Sequence, residues 1–446
     1  MNCKALSTLL LSLTLYVNNN INAQTTWNLK QCVDTALTRN TALLKNKTGN
    51  EINNINIKEA RYKQLPDLSF LASETYNHFF NPTDFSENTQ DGTIGSYGLN
   101  TSLLIYNGGL LKKKIEQSRL SYEVGEIDLD ALRKDISLNI VYAYLQVLYG
   151  YEQIETDRDL MEKKKKQFEN TQLLVTYGKL PQASLSQMKA QLASQQYTLT
   201  KAENELYSAK VDLMLMMEIP LIDGFEVEKP HVPDSNELQQ TGSSSSKDIF
   251  TFAVKNQPEI KSAELNIKIS EMNTRIAQSA YYPTLNLTGN IGTTHSSANK
   301  VLGGFSYAVN DQIKDNLSTS VGLSLQVPIF NRWSTKANVQ RYQLNKQTAI
   351  IEKKYAETQL RKEIEQAYTD MTVASRNFES ALEYVKATKE TFANAELKYN
   401  SGLMTALDLM NERNSLISAT SQYIQAKYQF FFKVKVLDFY QGKPLY

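Results

Sequence analysis

The strongest constraint on the fold is that the chain repeats itself over about half of its length. Residues 60–70 match residues 277–287 at an offset of 217. Residues 98–107 match residues 322–331 at an offset of 224, so seven extra residues fall between the two matched segments of the second copy. A unit of about 220 residues is too long for a solenoid repeat. The pattern therefore indicates duplication of a half-protein, with the extra residues in a loop.

The first residues resemble a secretory signal. Lys4 precedes an apolar run over residues 5–17, and the small residue Ala23 follows a short polar stretch. The apolar run is too short to cross a membrane as a helix. Between the repeats lies a segment with three prolines and a run of four serines, which is typical of a linker. We therefore predict a signal peptide, first repeat, linker, second repeat and tail over residues 1–23, 24–218, 219–247, 248–440 and 441–446.

Each repeat contains a very long predicted helix. Residues 332–401 contain neither glycine nor proline, and 70 helical residues would span about 105 Å. Large residues recur every seven positions, which is the spacing of a coiled coil: Ile364, Met371, Phe378, Val385, Phe392 and Tyr399 in the second repeat, and Ile140, Val147, Ile154, Met161, Phe168 and Val175 in the first. A second helix is predicted after each glycine turn, over residues 183–217 and 406–437.

Four shorter segments alternate with a period of two. Leu323, Leu325 and Val327 alternate with Ser324 and Gln326, and the segments that begin near residues 68, 97 and 285 show the same pattern. Aromatic residues flank these segments on the side of the long helices and near the loops: Tyr106, Tyr281, Tyr282, Phe330 and Trp333, and Phe79, Phe80, Phe305 and Tyr307. Strands of about ten residues with one apolar and one small polar face are typical of transmembrane β-strands. A soluble, half-buried sheet is the alternative.

Four strands cannot close a membrane barrel, and an open edge in lipid would leave backbone groups unpaired. Strands from several chains must therefore join, giving eight strands from two copies or twelve from three.

Basic and acidic residues number 48 and 47, so net charge gives no support to nucleic-acid binding.

The sequence lacks the usual signs of an enzyme. His78, His231 and His295 fall in predicted loop or linker contexts, and no metalloprotease, phosphate-loop, dinucleotide or nucleophile-elbow motif occurs. We expect no cofactor and no metal site. The methionines at positions 214, 216 and 217 are interpreted as packing at a helix end, and the lysine run over residues 163–166 as a solvated helix face.

The order of signal, strand pair, long helix, glycine turn and second helix, repeated twice, resembles the TolC-like outer membrane efflux protein family. The residues that carry the resemblance are the strand starts at Pro66 and Pro283, the strand ends at residues 104–109 and 327–331, and the turn over residues 399–409. The resemblance implies a homotrimer in the outer membrane. Each chain would give four strands to a twelve-stranded β-barrel, continued by a long periplasmic α-helical barrel. It also implies a passive exit duct without a catalytic centre, which a periplasmic adaptor couples to an inner-membrane transporter.

The same resemblance points to the turns at Gly178 and Gly402 as the periplasmic tip, where the pore narrows. Asp408 matches an acidic position of the constriction, whereas Asn411 stands where well-known members have a second Asp. The matching positions of the first repeat are Ser184 and Gln187. A first-turn helix charge is the alternative role for Asp408. At the level of the whole protein, the alternative is a periplasmic coiled-coil scaffold or adaptor that conducts nothing.

Overall fold

The structure is a computed structural model that describes residues 26–78, 91–229, 245–298 and 307–443. The predicted signal peptide, His231, the loop aromatics Phe79, Phe80 and Phe305, and most of the predicted linker lie outside these ranges. The chain divides into two compact units. The first comprises the chain up to Leu44 with Ala131–Gln257 and Gln359–Tyr446, and the second comprises Lys45–Asp130 and Pro258–Thr358.

Each repeat has the predicted order of strand pair, long helix and second helix, and two shorter helices precede its first strand. The first contains α1 (Leu29–Arg39), α2 (Thr41–Tyr62), β1 (Asp67–Asn77), β2 (Gly92–Tyr106), α3 (Leu110–Thr176) and α4 (Gln182–Met216). The second contains α5 (Ser246–Asn256), α6 (Pro258–Ser279), β3 (Thr284–Ser296), α7 (Val309–Asp315), β4 (Ser318–Gln326), α8 (Ser334–Asn400) and α9 (Ala406–Tyr440). Among the described helices, none is both long and apolar enough to cross a membrane.

The four strands of the second unit form one antiparallel sheet in the order β1-β2-β3-β4. The register places most of the apolar strand residues on one face, as in the row Phe70, Leu99 and Ile291, which Thr319 of β4 continues. The opposite face carries polar rows, one of which contains Asn290, whose amide donates to Asn100 over 2.6 Å. The alternation in the sequence therefore corresponds to two chemically different faces of one sheet.

The two hairpins have the same register. Leu68 pairs with Thr101 in the first hairpin, and Leu285 pairs with Leu325 in the second. Adding 217 to the first member and 224 to the second converts one pair into the other, so the repeat offsets reproduce the strand pairing. The seven extra residues fall between β3 and β4, where the structure has the seven-residue helix α7. Gln312 of α7 is fully buried and donates to the backbone oxygens of Ser296 and Tyr307.

His295 corrects a prediction, because it lies within strand β3 and not in a loop. Its side chain is buried, stacks on Tyr97, and has Nε2 3.3 Å from a carboxylate oxygen of Glu74. Glu74 and His295 are both paired with Gly95, and a β-carbon there would lie 2.2 Å from His295 Nε2. The glycine thus lets the acid and the imidazole meet across the middle strand. His78 contacts Asp91 at 2.5 Å, next to the strand ends.

The core of the first unit follows the predicted heptads. Ile140, Val147 and Ile154 of α3 are buried, and Ile364, Met371 and Phe378 of α8 are buried in the same way. Towards the glycine turns the later heptad positions become half-buried or exposed. Met214 and Met217 are buried at the end of α4, which confirms the packing interpretation for them, whereas Met216 is exposed.

The segment after α4 was predicted to be a linker, but its first part, residues 219–229, packs into the first unit. Phe225 and Val227 are buried, and Val227 forms a parallel bridge with Trp27. The Tyr144 hydroxyl, on α3, donates to the Glu228 carbonyl over 2.5 Å. This segment is therefore a structural part of the repeat.

Lys164 also departs from its prediction as part of a solvated face. Its side chain is 8% exposed, whereas Lys163, Lys165 and Lys166 of the same run are exposed. Burial lowers the pKa of Lys164, and the nearby positive charge of Arg413 lowers it further. The heptad pattern could not show this, because it marks large apolar positions only.

Candidate functional site

The turn between α3 and α4 is shaped by Gly178. Its φ is +71°, a left-handed conformation that glycine adopts without a side-chain clash. The Gly178 amide donates to the Val175 carbonyl over 2.9 Å, and the Lys179 amide donates to the Leu174 carbonyl over 2.8 Å. These bonds satisfy the last carbonyls of α3 in the pattern of a Schellman motif. Because no atom lies within 4 Å of the Cβ position, the backbone conformation and not space explains the glycine.

The turn between α8 and α9 has the same geometry around Gly402, with φ of +75°. The Leu403 amide donates to the Lys398 carbonyl over 2.9 Å, in the same six-residue closure. The two predicted tip turns are thus built alike.

The second helix of each pair begins differently in the two repeats. Thr405 is the N-cap of α9, and its hydroxyl accepts a hydrogen bond from the Asp408 amide over 3.2 Å. The same hydroxyl lies 2.6 Å from the Asp408 carboxylate, to which it donates. In the first repeat Pro181 is the N-cap of α4 and offers no side-chain hydrogen bond. The exposed carboxylate of Asp408 therefore lies at the positive end of a capped helix, where the helix dipole stabilises it.

The other predicted site residues take matching places on the two helices. Ser184 occupies the third helical position of α4, as Asp408 does in α9. Gln187 and Asn411 follow one turn later, and both are exposed, whereas Ser184 is half-buried. The structure joins Asp408 to Thr405, and among the described residues no hydrogen bond links the four predicted site residues to one another. The described ranges also contain no group of three or more His, Cys, Asp or Glu side chains arranged to hold a metal ion.

A buried cation further along α9 was not predicted from the sequence. Arg413, two residues after Asn411, is only 9% exposed, and its guanidinium lies 5.3 Å from the centre of the Phe392 ring. Burial lowers the pKa of Arg413, while the carboxylates of Glu396 and Asp159 act in the opposite direction. Phe392 lies on the predicted heptad stripe, but a single arginine forms no periodic pattern, so nothing in the sequence indicated this contact.

The sheet presents the second functional surface. Its apolar face is not covered by other residues of the chain: Phe70 is 69% exposed, Val321 is 82% exposed and Leu323 is 66% exposed. A patch of such residues on several adjacent strands is not stable against water and requires an apolar environment. The strand pattern matches a face that contacts lipid, with the polar face on the opposite side.

Comparison with known proteins identifies this combination of sheet and paired helices. The sequence profile of the outer membrane efflux protein family matches residues 32–217 and 252–435, which covers most of both repeats. The chain belongs to the outer membrane efflux protein family. It is 21% identical to the probable outer membrane lipoprotein SilC of Salmonella typhimurium over 368 residues, which cover 81% of this chain and 74% of that protein. It is also 21% identical to the outer membrane protein TolC of Escherichia coli strain K12 over 414 residues, 90% of this chain and 80% of that one.

Solved structures agree on the fold of this efflux protein. The Campylobacter jejuni CmeC outer membrane channel is similar with a TM-score of 0.74 and 21% identity, covering 93% of this chain and 85% of that one. The outer membrane protein VceC of Vibrio cholerae is similar with a TM-score of 0.73 and 18% identity, over 93% and 94% of the two chains. The fold therefore combines α-helices with β-strands: each chain has four strands for a transmembrane β-barrel and long helices for a periplasmic helical barrel. The family and the fold are those of outer-membrane channels of efflux systems and not of enzymes.

Proposed function

We propose that three copies of this efflux protein form a passive exit duct through the outer membrane. One observation carries the proposal. In the described sheet β1 pairs only with β2 and β4 pairs only with β3, so two edges with unpaired backbone groups remain. Such edges are not tolerated in lipid. Because β1 and β4 run antiparallel, β4 of one copy can continue the sheet onto β1 of the next without breaking the alternation.

The register between β4 of one copy and β1 of the next can be derived from the pairing of β2 with β3. In both cases the second strand of one repeat lies beside the first strand of the following repeat, so the same register is expected. Asn100 pairs with Asn290, and the repeat offsets convert this pair into Ser324 of one copy opposite Ser73 of its neighbour. The conversion also keeps the faces consistent, since Leu325 would lie opposite Ala72 on the apolar side.

Disulfide trapping tests the assembly and its register together. We expect the double variant Ser73→Cys with Ser324→Cys to give disulfide-linked oligomers in outer-membrane extracts on a non-reducing gel. The two strands are separated by β2 and β3 within one chain, about 14 Å or more, which is too far for an internal disulfide. The matched control pairs Ser73→Cys with Ser320→Cys, on the same face but about 13 Å out of register. Equal linking of both pairs, or of neither, would contradict the proposed contact.

The entrance of the duct is proposed to lie at the two glycine turns, Gly178 and Gly402. Here Asp408 and its two symmetry mates would form an acidic ring, with Asn411 one helical turn further along. The first repeat would contribute Ser184 and Gln187, which are neutral, so the ring carries one carboxylate per chain. Three carboxylates around one axis attract cations and disfavour anions. The matching helix positions of Asp408 and Ser184 support this arrangement.

Coupling to a periplasmic adaptor and an inner-membrane transporter completes the proposed function, with the transporter selecting the cargo. The same proposal includes the domain order that the sequence predicts. Residues 1–23 are removed, the first repeat extends to residue 229, a linker follows it, the second repeat ends at residue 440, and residues 441–446 are the tail. The protein would have no catalytic role of its own. Co-purification of the cross-linked assembly with an adaptor from the same cells tests the coupling, and a scaffold that conducts nothing would show no conductance in planar bilayers.

A further inference from the structure

The first unit contains a cavity of about 580 Å³ that is lined by residues of α3, α8 and α9. This volume lies within the range of roughly 300–1,000 Å³ that is usual for sites of small organic ligands. The apolar part of the lining, called the apolar wall below, comprises Leu160, Phe392, Leu416, Ile417 and Ile424. The rest of the lining is polar or charged and includes Arg413 and three carboxylates.

One nitrogen of Arg413 lacks a hydrogen-bond acceptor in this cavity. More than nine-tenths of its side chain is buried, and Nη1 has no hydrogen-bond partner. Its guanidinium lies over the Phe392 ring, but an aromatic face does not replace a hydrogen-bond acceptor. The positive charge of Arg413 lowers the pKa of the buried Lys164, so a second buried basic side chain lies near the guanidinium. A buried cation without an acceptor is costly, and a bound anion would remove that cost.

Three carboxylates also line the cavity, but none of them is a hydrogen-bond partner of Arg413 Nη1. Glu152 accepts from the Tyr428 hydroxyl over 2.7 Å and from Lys427 over 3.2 Å, and Asp159 accepts from Lys163 over 2.6 Å. Asp159 and Glu155 are largely exposed, at 63% and 78%, so solvent screens their charges. Asp159 and Glu396 favour the charged form of Arg413 from a distance, but its buried guanidinium keeps a donor without an acceptor.

We propose that this cavity binds an amphipathic organic anion. A carboxylate or sulfonate would accept hydrogen bonds from Arg413, which suits a planar guanidinium. An aromatic or alkyl body would pack against Phe392 and Ile417. The apolar wall distinguishes this ligand from inorganic phosphate, which has no apolar body. The site lies within one chain and does not depend on the proposed duct.

Binding of 4-phenylbutyrate to the full chain in lipid nanodiscs tests the proposal, with the neutral 4-phenylbutyramide as the matched probe. Saturation-transfer NMR against empty nanodiscs gives both affinities. We expect the acid to bind about tenfold more tightly than the amide, and Arg413→Met to remove this difference. Arg413→Lys should retain part of it. Arg158→Met, which removes an exposed cation of α3 that does not line this cavity, is the control and should leave the difference unchanged.

Two results would overturn the proposal. Equal binding of the acid and the amide to the unaltered protein would show that the charge is not recognised, and this comparison needs no variant. Displacement of 4-phenylbutyrate by an equal concentration of inorganic phosphate would show that the apolar wall contributes nothing. Neither result would affect the disulfide test of the duct, so the two proposals can fail separately.

Discussion

Gly108 and Arg332 occupy the same place in the two repeats, 224 residues apart, and both have a left-handed backbone, with φ of +63° and +52°. The next residues, Gly109 and Trp333, match as well, with φ of +75° and +67°. The corner from the strand to the long helix thus requires this conformation whether or not glycine is present. Non-glycine residues adopt it at a cost of roughly 1–2 kcal/mol each, so the second repeat carries local strain that the first avoids.

The corner gives a matched pair of substitutions. Gly108→Ala should destabilise the protein by roughly 2 kcal/mol, because it adds a β-carbon to a left-handed residue. That β-carbon would also lie 2.7 Å from the Tyr282 β-carbon. Arg332→Ala keeps a β-carbon that is already present and should change stability by about 0.5 kcal/mol or less. The heat-dissociation midpoint in mild detergent measures the effect of each variant. Equal shifts for the two variants would show that adding a β-carbon at Gly108 has no cost of its own.

The two faces of β4 should respond in opposite ways to arginine. Leu323→Arg should impair insertion by about 2–4 kcal/mol, because Leu323 lies near the middle of the strand on the apolar face. The neighbouring Ser324→Arg places the same charge on the polar face and should be tolerated. Leu325 and Gln326 form a second pair with the same expectation. Outer-membrane levels of the folded protein are the measurement, and similar losses for both faces would refute the assignment of lipid and lumen.

The two roles of Asp408 can be separated by comparing it with its capping partner. Asp408→Asn removes the charge and should reduce cation preference in single-channel recordings at low salt, with a smaller effect at high salt where charges are screened. Thr405→Ala breaks the capping contact at about 1 kcal/mol but keeps the carboxylate, so selectivity should persist. If Asp408→Asn leaves selectivity unchanged and lowers only stability, its carboxylate serves the helix end alone.

The packed segment 219–229 should give the protein a defined acid sensitivity through Glu226. Burial alone raises the pKa of Glu226, but hydrogen bonds from Tyr151 and Lys210 outweigh this and hold the pKa below its usual 4.5. Ionised Glu226 therefore stabilises the folded state above the unfolded pKa. This stabilisation is lost as pH falls through the lower folded pKa. Its size is about 1 kcal/mol, because the side chain is partly exposed and screened.

The variant Glu226→Gln should lose this contribution at pH 7 and show a flatter stability profile below pH 4.5. Unfolding midpoints in denaturant between pH 3 and pH 7 give the comparison. The control is Glu155→Gln. The Glu155 carboxylate is exposed and lies 3.9 Å from Lys229, a longer contact than the 2.9 Å between Glu226 and Lys210, so this variant should behave like the unaltered protein. A parallel profile for Glu226→Gln would mean that the carboxylate does not hold the segment.

The Cys32 thiol should not react with alkylating reagents in the folded protein. It is fully buried in α1, and burial raises the pKa of its thiol to about 12, despite an opposing backbone hydrogen bond. Because this pKa lies well above pH 8, the thiol is protonated there, and the thiolate is the reactive form. Iodoacetamide should therefore label Cys32 only after unfolding, whereas Ser401→Cys at the exposed turn should react at once. Rapid native labelling of Cys32 would show that α1 opens readily.

The sequence was sufficient for the elements that rest on periodicity. The long helices, the helices after the glycine turns, the four strands and the equivalence of Gly178 and Gly402 follow from patterns that many residues share. Features that depend on one contact were not predictable. His295 was assigned to a loop because a single polar residue gives no period, and its partner Glu74 is 221 positions away. Lys164 was assigned to solvent for the same reason, and residues 219–229 were assigned to a linker from composition alone.

The common register of the two hairpins has a consequence for how such a chain arose. A half-length ancestor with one hairpin would close a twelve-stranded ring from six copies, using one kind of edge contact. Joining two copies by a linker turns every second contact into the internal β2–β3 pair, so the proposed assembly needs only three chains and loses less translational entropy when it forms. It also frees the two glycine turns to diverge. Ser184 and Asp408 stand at equivalent places with different charges, which no ring of identical half-proteins could achieve.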